Sequence, residues 1–307
     1  MRKKLRFITA VIVCVALLLS SVMSGFAETY YIYEGYKYRD IDSESICLSG
    51  WDDSSDTLVV PEKIGDRYIV AIDRYAFKFD SVLKTIDLSQ NSHLREIGTG
   101  AFARCTELTS MVIPSWVTNL SEFMFLGCTS MISLDVQMNA AVIPDEMCNY
   151  CSSLARFDVP DSVTEIRRYA FANCTSLSYV RIPSEVQSIA ASSFYNCPNL
   201  VLGVYYGSYA QQYAIDHNIN YTLLDGVLLG DVDGKDGVKI NDVTMIQSYL
   251  AELTTLEGVY LQAADANQDG IVDISDATAI QMYLAEYELP YPIGQYFTKE
   301  VVTQENN

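Results

Sequence analysis

Five cysteines in the middle of the chain recur at one fixed spacing of 23 residues: Cys105, Cys128, Cys151, Cys174 and Cys197. A period of this size is typical of a solenoid, in which one supersecondary unit is stacked on the next. One such unit cannot bury its apolar face alone, so its neighbours must complete the core. The spacing therefore predicts a stack of similar units with a continuous core.

Apolar side chains keep the same step in other columns of the repeat. These columns are Phe102, Phe125, Phe171 and Phe194; Leu108, Met131, Leu154, Leu177 and Leu200; and Leu120, Ile143, Ile166 and Ile189. Cys148 replaces phenylalanine in one repeat, and an earlier, less regular unit contains Ala76 and Phe77. Val180 and Ile182 alternate with polar neighbours, which is expected of a half-buried strand.

These columns resemble the leucine-rich repeats of the BspA-like class, over roughly residues 58–205. The resemblance implies a short strand plus a turn or helical segment in each 23-residue repeat, with the cysteine in a buried turn. We expect residues 30–70 to cap the N-terminal end of the stack. Residues 207–221 are expected to form a small helix-and-strand cap at the other end.

The cysteines could be buried thiols or disulfides. Seven remain once residues 1–27 are removed, and an odd number cannot pair completely. The resemblance favours reduced side chains stacked in the core, where cysteine acts as a small hydrophobic residue. Cys148 and Cys151 have the CxxC spacing of a redox site. Each already belongs to a repeat column, so we interpret that spacing as coincidental.

Residues 1–27 have the pattern of a secretory signal peptide. Four basic residues precede an apolar run over residues 7–19, and small residues lead to Ala27. We expect cleavage after Ala27. The alternative is a membrane anchor, for which the run is short. No later segment is long and apolar enough to span a bilayer, so the mature chain is expected to be secreted and to have no membrane span.

The mature chain is strongly acidic. Without residues 1–27 it has 16 basic and 39 acidic residues, a formal net charge of −23. Nucleic acids and anionic membranes would repel such a chain, whereas cations would be attracted to it.

Two acidic loops of 12 residues, 231–242 and 265–276, each precede a predicted helix. Calcium prefers several oxygen ligands at about 2.4 Å. Loops of this length supply them from positions 1, 3 and 5, from the carbonyl at position 7 and from an acid at position 12, and glycine at position 6 allows the turn. The second loop fits, with the predicted ligands Asp265, Asn267, Asp269, the carbonyl of Ile271 and Asp276, and with Asp273 acting through water.

The first loop departs from this pattern. Position 5 is Lys235, which cannot ligate, and the Asp-Gly pair comes one residue late, at Asp236 and Gly237. Either the loop rearranges so that Asp236 ligates, or the loop binds weakly. The other predicted ligands are Asp231, Asp233 and Asp242. Two calcium sites are therefore expected, and the first is atypical.

The duplicated loop and helix, with aspartate at position 12, resemble a type I dockerin. The resemblance implies a calcium-dependent fold that binds a cohesin domain of a scaffolding protein. The residues that it places at the interface are Ile240, Asn241, Gln247, Ser248, Ile274, Ser275, Gln281 and Met282. Ile240 and Ile274 are apolar where a polar residue is often found, so they could instead belong to the core. The two helices are nearly identical, which would allow cohesin to bind in either of two orientations.

Together these features predict an α+β chain. Its expected parts are a signal peptide at 1–27, a leucine-rich-repeat solenoid with end caps at 28–225, a small all-α calcium-binding dockerin at 226–294 and a tail at 295–307. The expected function is that of a non-catalytic component of a cellulosome, outside the cell or at its surface. The repeat domain would bind an unknown protein or carbohydrate, or mediate adhesion.

An enzyme that degrades polysaccharides, or a protease inhibitor, carried by the same dockerin is the alternative. The chain has only two histidines, His93 and His217, both in predicted loops or caps. It has no Ser-His-Asp spacing, nucleophile elbow or zinc motif, so we predict no catalytic residue. The strand face could hold a ligand, although a solvated face is the simpler interpretation. Its residues are Asp87, Asp135, Arg156, Asp158, Tyr179 and Arg181.

Overall fold

The computed structural model describes residues 29–52, 54–235 and 237–297. The predicted signal peptide and residues 298–307 lie outside this part. The strands are β1 (Tyr30–Tyr33), β2 (Tyr36–Asp40), β3 (Ser45–Trp51), β4 (Thr57–Val59), β5 (Lys63–Ile64), β6 (Arg67–Ile72), β7 (Thr85–Asp87), β8 (Glu96–Ile97), β9 (Ser110–Ile113), β10 (Ser133–Val136), β11 (Val142–Ile143), β12 (Arg156–Asp158), β13 (Glu165–Ile166), β14 (Tyr179–Arg181), β15 (Ser188–Ile189), β16 (Val201–Val204), β17 (Asn220–Leu223), β18 (Val227–Leu228) and β19 (Tyr296–Phe297). The helices are α1 (Tyr209–Asp216), α2 (Ile240–Leu250), α3 (Gly258–Ala264) and α4 (Ile274–Leu284).

Strands of successive repeats pair in parallel along the stack. One sheet has the order β10-β9-β7-β4, a second β12-β14-β16-β17 and a third β11-β13-β15. Arg156 lies opposite Tyr179, and Ser110 opposite Ser133, so one rung advances the chain by 23 residues. Exposed and buried side chains alternate along β9 and β10, because successive residues of a strand face opposite sides. The predicted leucine-rich-repeat solenoid is therefore confirmed.

Both ends of the stack are closed by elements that do not repeat. At the N-terminal end the antiparallel strands β1, β2 and β3 lead to β6, which pairs in parallel with β3 and β8. At the other end α1 contacts β16 and β17. Ser208 caps this helix by accepting a hydrogen bond from the N–H of Gln211 at 3.2 Å. Tyr213 and Ala214 point from the helix into the core.

Phenylalanine rings stack through the core of the repeats. Ring centroids are 5.6 Å apart in the pairs Phe77–Phe102 and Phe102–Phe125, with ring planes within 14° of one another. The pair Phe171–Phe194 repeats this geometry at 5.6 Å and 7°. These side chains are almost completely buried. The rings therefore form two stacks that bind neighbouring repeats together by offset aromatic contact.

The two stacks are separated at Cys148, where the column lacks a ring. Phe157, in the next strand along, is larger than the Val180 that follows it in the same column. Its ring lies 4.9 Å from that of Phe171 and is tilted by 46°. A larger side chain beside a smaller one keeps the total core volume nearly constant, which packed cores require.

Each ladder cysteine donates its thiol hydrogen bond to a backbone carbonyl of the preceding repeat. The Sγ–O distances are 3.1 to 3.2 Å in the pairs Cys105–Phe77, Cys128–Phe102, Cys151–Phe125, Cys174–Cys148 and Cys197–Phe171. None of the seven cysteines of the described residues forms a disulfide. This confirms the ladder of buried thiols.

Thiol-specific labelling should find these cysteines unreactive in the folded protein, because the thiolate is the reactive form. Burial raises the pKa of Cys174 well above its ordinary value and that of Cys197 to about 11. Cys197 alone of the seven is half-exposed, so it should be labelled first. Mass spectrometry after labelling at pH 8, with and without denaturant, tests this. Rapid labelling of Cys148 or Cys151 in the native protein would revive the redox interpretation.

The C-terminal segment consists of three helices and a two-stranded ribbon. Helices α2 and α4 pack against each other and enclose a small core that includes Val243, Ile246, Ala277 and Ile280. The ribbon pairs β18 with β19, antiparallel, so residues 296–297 return to the start of the segment. Neither α3 nor this ribbon was predicted from the sequence. None of the helices in the described residues is long and apolar enough to cross a membrane.

Candidate metal centre and docking surface

Three carboxylates of the first loop converge in the structure. Oxygen atoms of Asp231, Asp233 and Asp242 lie within 4.8 Å of one another. Asp231 and Asp242 are buried, and Asp233 is half-buried. Negative charges held this close in a buried place repel one another, so they favour protons or a cation. Calcium, with its preference for hard oxygen ligands, fits this donor set.

Asp242 holds the loop in shape. Its Oδ1 accepts hydrogen bonds from the N–H groups of Val232 (2.7 Å) and Asp233 (3.0 Å), and its Oδ2 accepts one from Lys239 (2.7 Å). Because Asp242 lies in the first turn of α2, the loop is closed onto the N-terminus of that helix. Gly234 has a φ of +66°, a left-handed conformation that favours glycine.

The electrostatics of the first loop agree with this geometry. Burial, together with the charges of Asp242 and Asp233, raises the pKa of Asp231 to about 6. Burial also raises the pKa of Asp242. Lys235 is exposed. Its backbone N–H donates hydrogen bonds to Asp231 Oδ1 (3.2 Å) and Asp233 Oδ1 (2.9 Å). Asp236, a predicted ligand, lies outside the described residues.

The second loop repeats the closure seen in the first. Asp276 Oδ1 accepts a hydrogen bond from Asn267 N–H (3.0 Å), and its Oδ2 accepts one from Asp273 N–H (2.8 Å). Asp269 Oδ1 accepts from the N–H of Ile271 (2.9 Å). Burial raises the pKa of Asp276.

One atom of the second loop lacks a hydrogen-bond partner. Asp265 Oδ2 accepts a hydrogen bond from Gly270 N–H (3.0 Å), but the buried Oδ1 has none among the described residues. A buried carboxylate oxygen left in this way is costly unless a cation reaches it. The first loop alone forms a tight cluster of three carboxylates within the described part of the chain. In the second loop Asn267 instead bonds Asp269 (3.1 Å) and Ser275 (2.8 Å) through its amide nitrogen.

Asp273 is the N-cap residue of α4. Its Oδ1 accepts a hydrogen bond from Ser275 N–H at 2.6 Å. Hydrogen bonds from Ser275 lower the pKa of the Asp273 carboxyl. Capping of this kind satisfies an N–H group that the helix itself cannot pair.

The residues expected at the docking surface are accessible. Ile240 is 61% exposed and Ile274 is 60% exposed, so the alternative that they belong to the core is wrong. Asn241, Gln247, Ser275, Gln281 and Met282 are exposed as well, and Ser248 is half-exposed. Leu253, Tyr283 and Tyr287 add exposed apolar surface to the same segment. Exposed apolar patches of this kind mark sites of protein contact.

The first loop also contacts the cap of the repeats. The hydroxyl of Tyr206 donates a hydrogen bond to the backbone carbonyl of Asp231. A Cβ at Gly207 would lie 2.3 Å from the carbonyl oxygen of Gly234, so the two backbones touch. Val259 and Ala263 of α3 are buried in the same apolar core as the repeats. The segment that contains the two acidic loops is therefore packed against the end of the solenoid, a contact that was not predicted from the sequence.

Both arginines on the strand face of the repeats are paired with carboxylates of the chain. Arg156 lies 3.1 Å from Asp158, and its guanidinium is 4.3 Å from the centre of the Tyr179 ring. Arg181 forms an ion pair with Asp161 at 2.7 Å. The strand-face cations named as candidates are thus largely neutralised within the chain.

Two sequence families match the chain. The model of the BspA type leucine rich repeat region matches residues 70–201 in six copies, and that of the dockerin type I domain matches residues 229–285. No curated protein matches the chain.

Solved structures of bacterial leucine-rich-repeat proteins are similar in fold. One from T. pallidum is 28% identical, with a TM-score of 0.52 over 57% of this chain and 81% of its own. One from Eubacterium ventriosum is 23% identical, with a TM-score of 0.49 over 56% of this chain and 44% of its own.

Proposed function

Since the chain consists of a BspA-type leucine-rich-repeat region followed by a type I dockerin domain, we propose that it is a secreted, non-catalytic component of a cellulosome-type complex. The dockerin implies binding to a cohesin of a scaffolding protein, and the repeats imply a protein-binding domain. The observation that carries the proposal is the pair of acidic loops, each closed onto a helix by one aspartate, beside an exposed apolar docking surface.

The proposal assigns calcium to both loops. Type I dockerins bind calcium, and the cluster of Asp231, Asp233 and Asp242 offers it three carboxylates. In the second loop the unpaired Oδ1 of Asp265 supports a cation, with Asn267, Asp269, the carbonyl of Ile271 and Asp276 as further ligands and Asp273 acting through water. Asp236 completes the first site in this proposal.

Binding of the full chain to a panel of type I cohesins tests the docking function. We expect calcium-dependent binding in isothermal titration calorimetry. Ile240 and Ile274 occupy the same position in two nearly identical helices, so a cohesin that can bind either copy tolerates loss of one. Ile240→Asp or Ile274→Asp alone should change the affinity little. The affinity of the double variant for cohesin should decrease by at least about 30-fold, as expected when a central apolar contact is removed.

Thr255→Asp is a matched control, since it adds a charge to an exposed position between α2 and α3, outside both docking helices. Binding that is unchanged in the double variant would exclude this surface. A large loss in either single variant would exclude the symmetric mode while leaving the docking function in place.

The pH dependence of the calcium-free chain follows from Asp231. Its pKa of about 6 lies above the ordinary aspartate value of about 3.9, so ionisation opposes the folded loop. Without calcium, the helical circular dichroism of the segment should therefore decrease as pH rises through about 6. With saturating calcium the sign should reverse, because protons compete with the metal for the carboxylates. Asp231→Asn should remove most of the transition, and a midpoint near pH 4 would contradict the assignment.

Catalysis is the weaker alternative, because neither histidine is placed as a general base. His93 lies near both Glu62 and Ser92, but Glu62 Oε1 (2.8 Å) and Ser92 Oγ (3.5 Å) both contact the same ring nitrogen, Nδ1. A catalytic triad needs the acid and the nucleophile on opposite nitrogens of the ring. Ser92 also donates its proton directly to Glu62 at 3.0 Å. His217 hydrogen-bonds the carbonyl of Tyr213 and stacks on its ring, in the other cap.

A further inference from the structure

Two columns of the repeat have left-handed backbone on either side of the phenylalanine column. One contains Tyr75, Gly100, Phe123, Glu146 and Tyr169, and the other Phe79, Arg104, Gly127, Tyr150, Asn173 and Asn196, with φ between +53° and +72° throughout. Glycine and asparagine adopt this conformation at little cost, whereas bulky side chains rarely do. Tyr75, Phe79, Arg104 and Phe123 therefore occupy positions that smaller residues would adopt at lower cost, and backbone of this kind often marks functional sites.

These four residues surround a pocket at the edge of the repeats, formed by the turns of three successive units. Its volume is about 320 Å³, and the other lining residues are Lys78, Ala103 and Leu126. Most of the lining is apolar. Phe79 is 60% exposed and Tyr75 is 45% exposed, so both rings stand at the rim.

Glycines of the next repeat make room for the rim. A Cβ at Gly100 would lie 2.5 Å from Cε1 of the Tyr75 ring, so only glycine leaves room for this ring. A Cβ at Gly127 would lie 3.2 Å from Cγ of Arg104. Tyr75 and Arg104 thus each pack against a glycine of the following repeat.

The pocket carries two cations in a strongly acidic protein. Lys78 Nζ lies 4.6 Å from the centre of the Tyr75 ring and 5.0 Å from that of Phe79, and the Arg104 guanidinium lies 5.5 Å from the Phe79 ring. Neither cation forms an ion pair with a described residue, unlike Arg156 and Arg181 on the strand face. Two unpaired cations beside an apolar pocket are complementary to an anion that also has an apolar part.

We propose that this pocket, which we call the turn-edge pocket (Tyr75, Lys78, Phe79, Ala103, Arg104, Phe123 and Leu126), binds an acidic peptide segment of a partner protein. One apolar side chain of that segment fills the pocket, and flanking carboxylates pair with Lys78 and Arg104. The pocket has room for one large side chain, and buried apolar anchors beside arginine and tyrosine are typical of the strongest contacts in protein interfaces. The inference deepens the proposed function, on which it rests for a repeat domain that binds a ligand.

A carboxylated polysaccharide is the competing ligand. Its carboxylates would suit the two cations, but each buried sugar hydroxyl also needs a hydrogen-bond partner. The pocket offers only the two cations and the Tyr75 hydroxyl as polar side-chain groups. Its apolar lining therefore favours the peptide.

The test uses the full calcium-loaded chain and a blocked pentapeptide, Asp-Asp-Phe-Asp-Asp. Isothermal titration calorimetry at low salt should detect binding of this peptide. The affinity should be at least tenfold lower for Asn-Asn-Phe-Asn-Asn and for Asp-Asp-Gly-Asp-Asp. The double variant K78Q/R104Q should bind the acidic peptide with at least tenfold lower affinity. The double variant R156Q/R181Q makes the same change of charge on the strand face, and should bind normally.

Equal binding of the acidic and neutral peptides, equal losses in both double variants, or no binding up to millimolar peptide would overturn the proposal. Tighter binding of an oligogalacturonate than of the peptide, lost in K78Q/R104Q, would replace it with a polysaccharide site. Cohesin binding is measured in parallel. If the chain binds cohesin but not the acidic peptide, only the inference about the turn-edge pocket is wrong. If it binds the peptide but not cohesin, only the docking function is contradicted.

Discussion

Removal of calcium with excess EDTA should unfold the dockerin segment and abolish cohesin binding, while the repeats stay folded. Without the metal, three carboxylates of the first loop lie close together, and Asp265 Oδ1 has no hydrogen-bond partner among the described residues. The apolar core around Ile246 and Ile280 is small. A segment of this kind depends on metal binding for much of its folding free energy. Calcium affinity and the stability of α2 and α4 are therefore expected to be lost together.

Calorimetry and circular dichroism should then resolve two transitions. The transition of the dockerin should move strongly with calcium concentration, as expected when a ligand binds only the folded state. The transition of the repeats should move slightly, because α3 contributes Val259 and Ala263 to the core at the end of the solenoid. Tyr206→Phe removes the hydrogen bond to the Asp231 carbonyl, and should lessen this coupling without removing cohesin binding.

Variants separate the metal from other effects of the chelator. Asp276→Ala removes a proposed ligand as well as two backbone hydrogen bonds, and should mimic EDTA for the second loop. Glu288→Gln makes the same change of charge at an exposed position of the same segment, and should behave as wild type. Helical circular dichroism and cohesin binding that survive EDTA would exclude calcium as the organiser of this domain.

The repetitive part of the fold could be predicted because the same type of side chain recurs at the same position of several repeats. A single buried Phe171 says little, but four columns in step specify strand, turn and stack, and the strand register follows. The exception, Cys148, was visible in the sequence. Its compensation by Phe157 was not, because Phe157 contacts Phe171, 14 residues further on, only through the stacking of one repeat on the next.

The features that the sequence did not predict are those without a repeated pattern. Helix α3 has seven residues, and the ribbon has two residues in each strand, too few for a periodicity. The left-handed columns are filled by such different residues as Tyr75, Gly100 and Glu146, so no composition marks them. Whether Ile240 and Ile274 were core or surface depended on the start of each helix, where a shift of one residue turns a side chain by about 100°.

Replacement of a stacked phenylalanine should be the most destabilising single substitution in the repeats. Phe102→Ala removes a fully buried ring that stacks on both Phe77 and Phe125 at 5.6 Å. Loss of a buried phenylalanine costs about 3–5 kcal/mol of unfolding free energy, from lost burial and from the cavity left behind. Each repeat contacts only its neighbours, so the substitution weakens both interfaces of the middle ring in the stack.

The expected decrease in the Tm of the repeats is on the order of 10 °C. Tyr195→Ala, at a side chain that is 64% exposed, is the matched aromatic control and should change the Tm little. Phe171→Ala should cost less than Phe102→Ala, because Phe157 stands 4.9 Å away and can move into the space. Since the solenoid transmits strain only through contacts between neighbouring repeats, cohesin binding should be unchanged in both variants below their Tm. An equal loss of unfolding free energy in Phe102→Ala and Phe171→Ala would show that Phe157 does not compensate for the missing ring at Cys148.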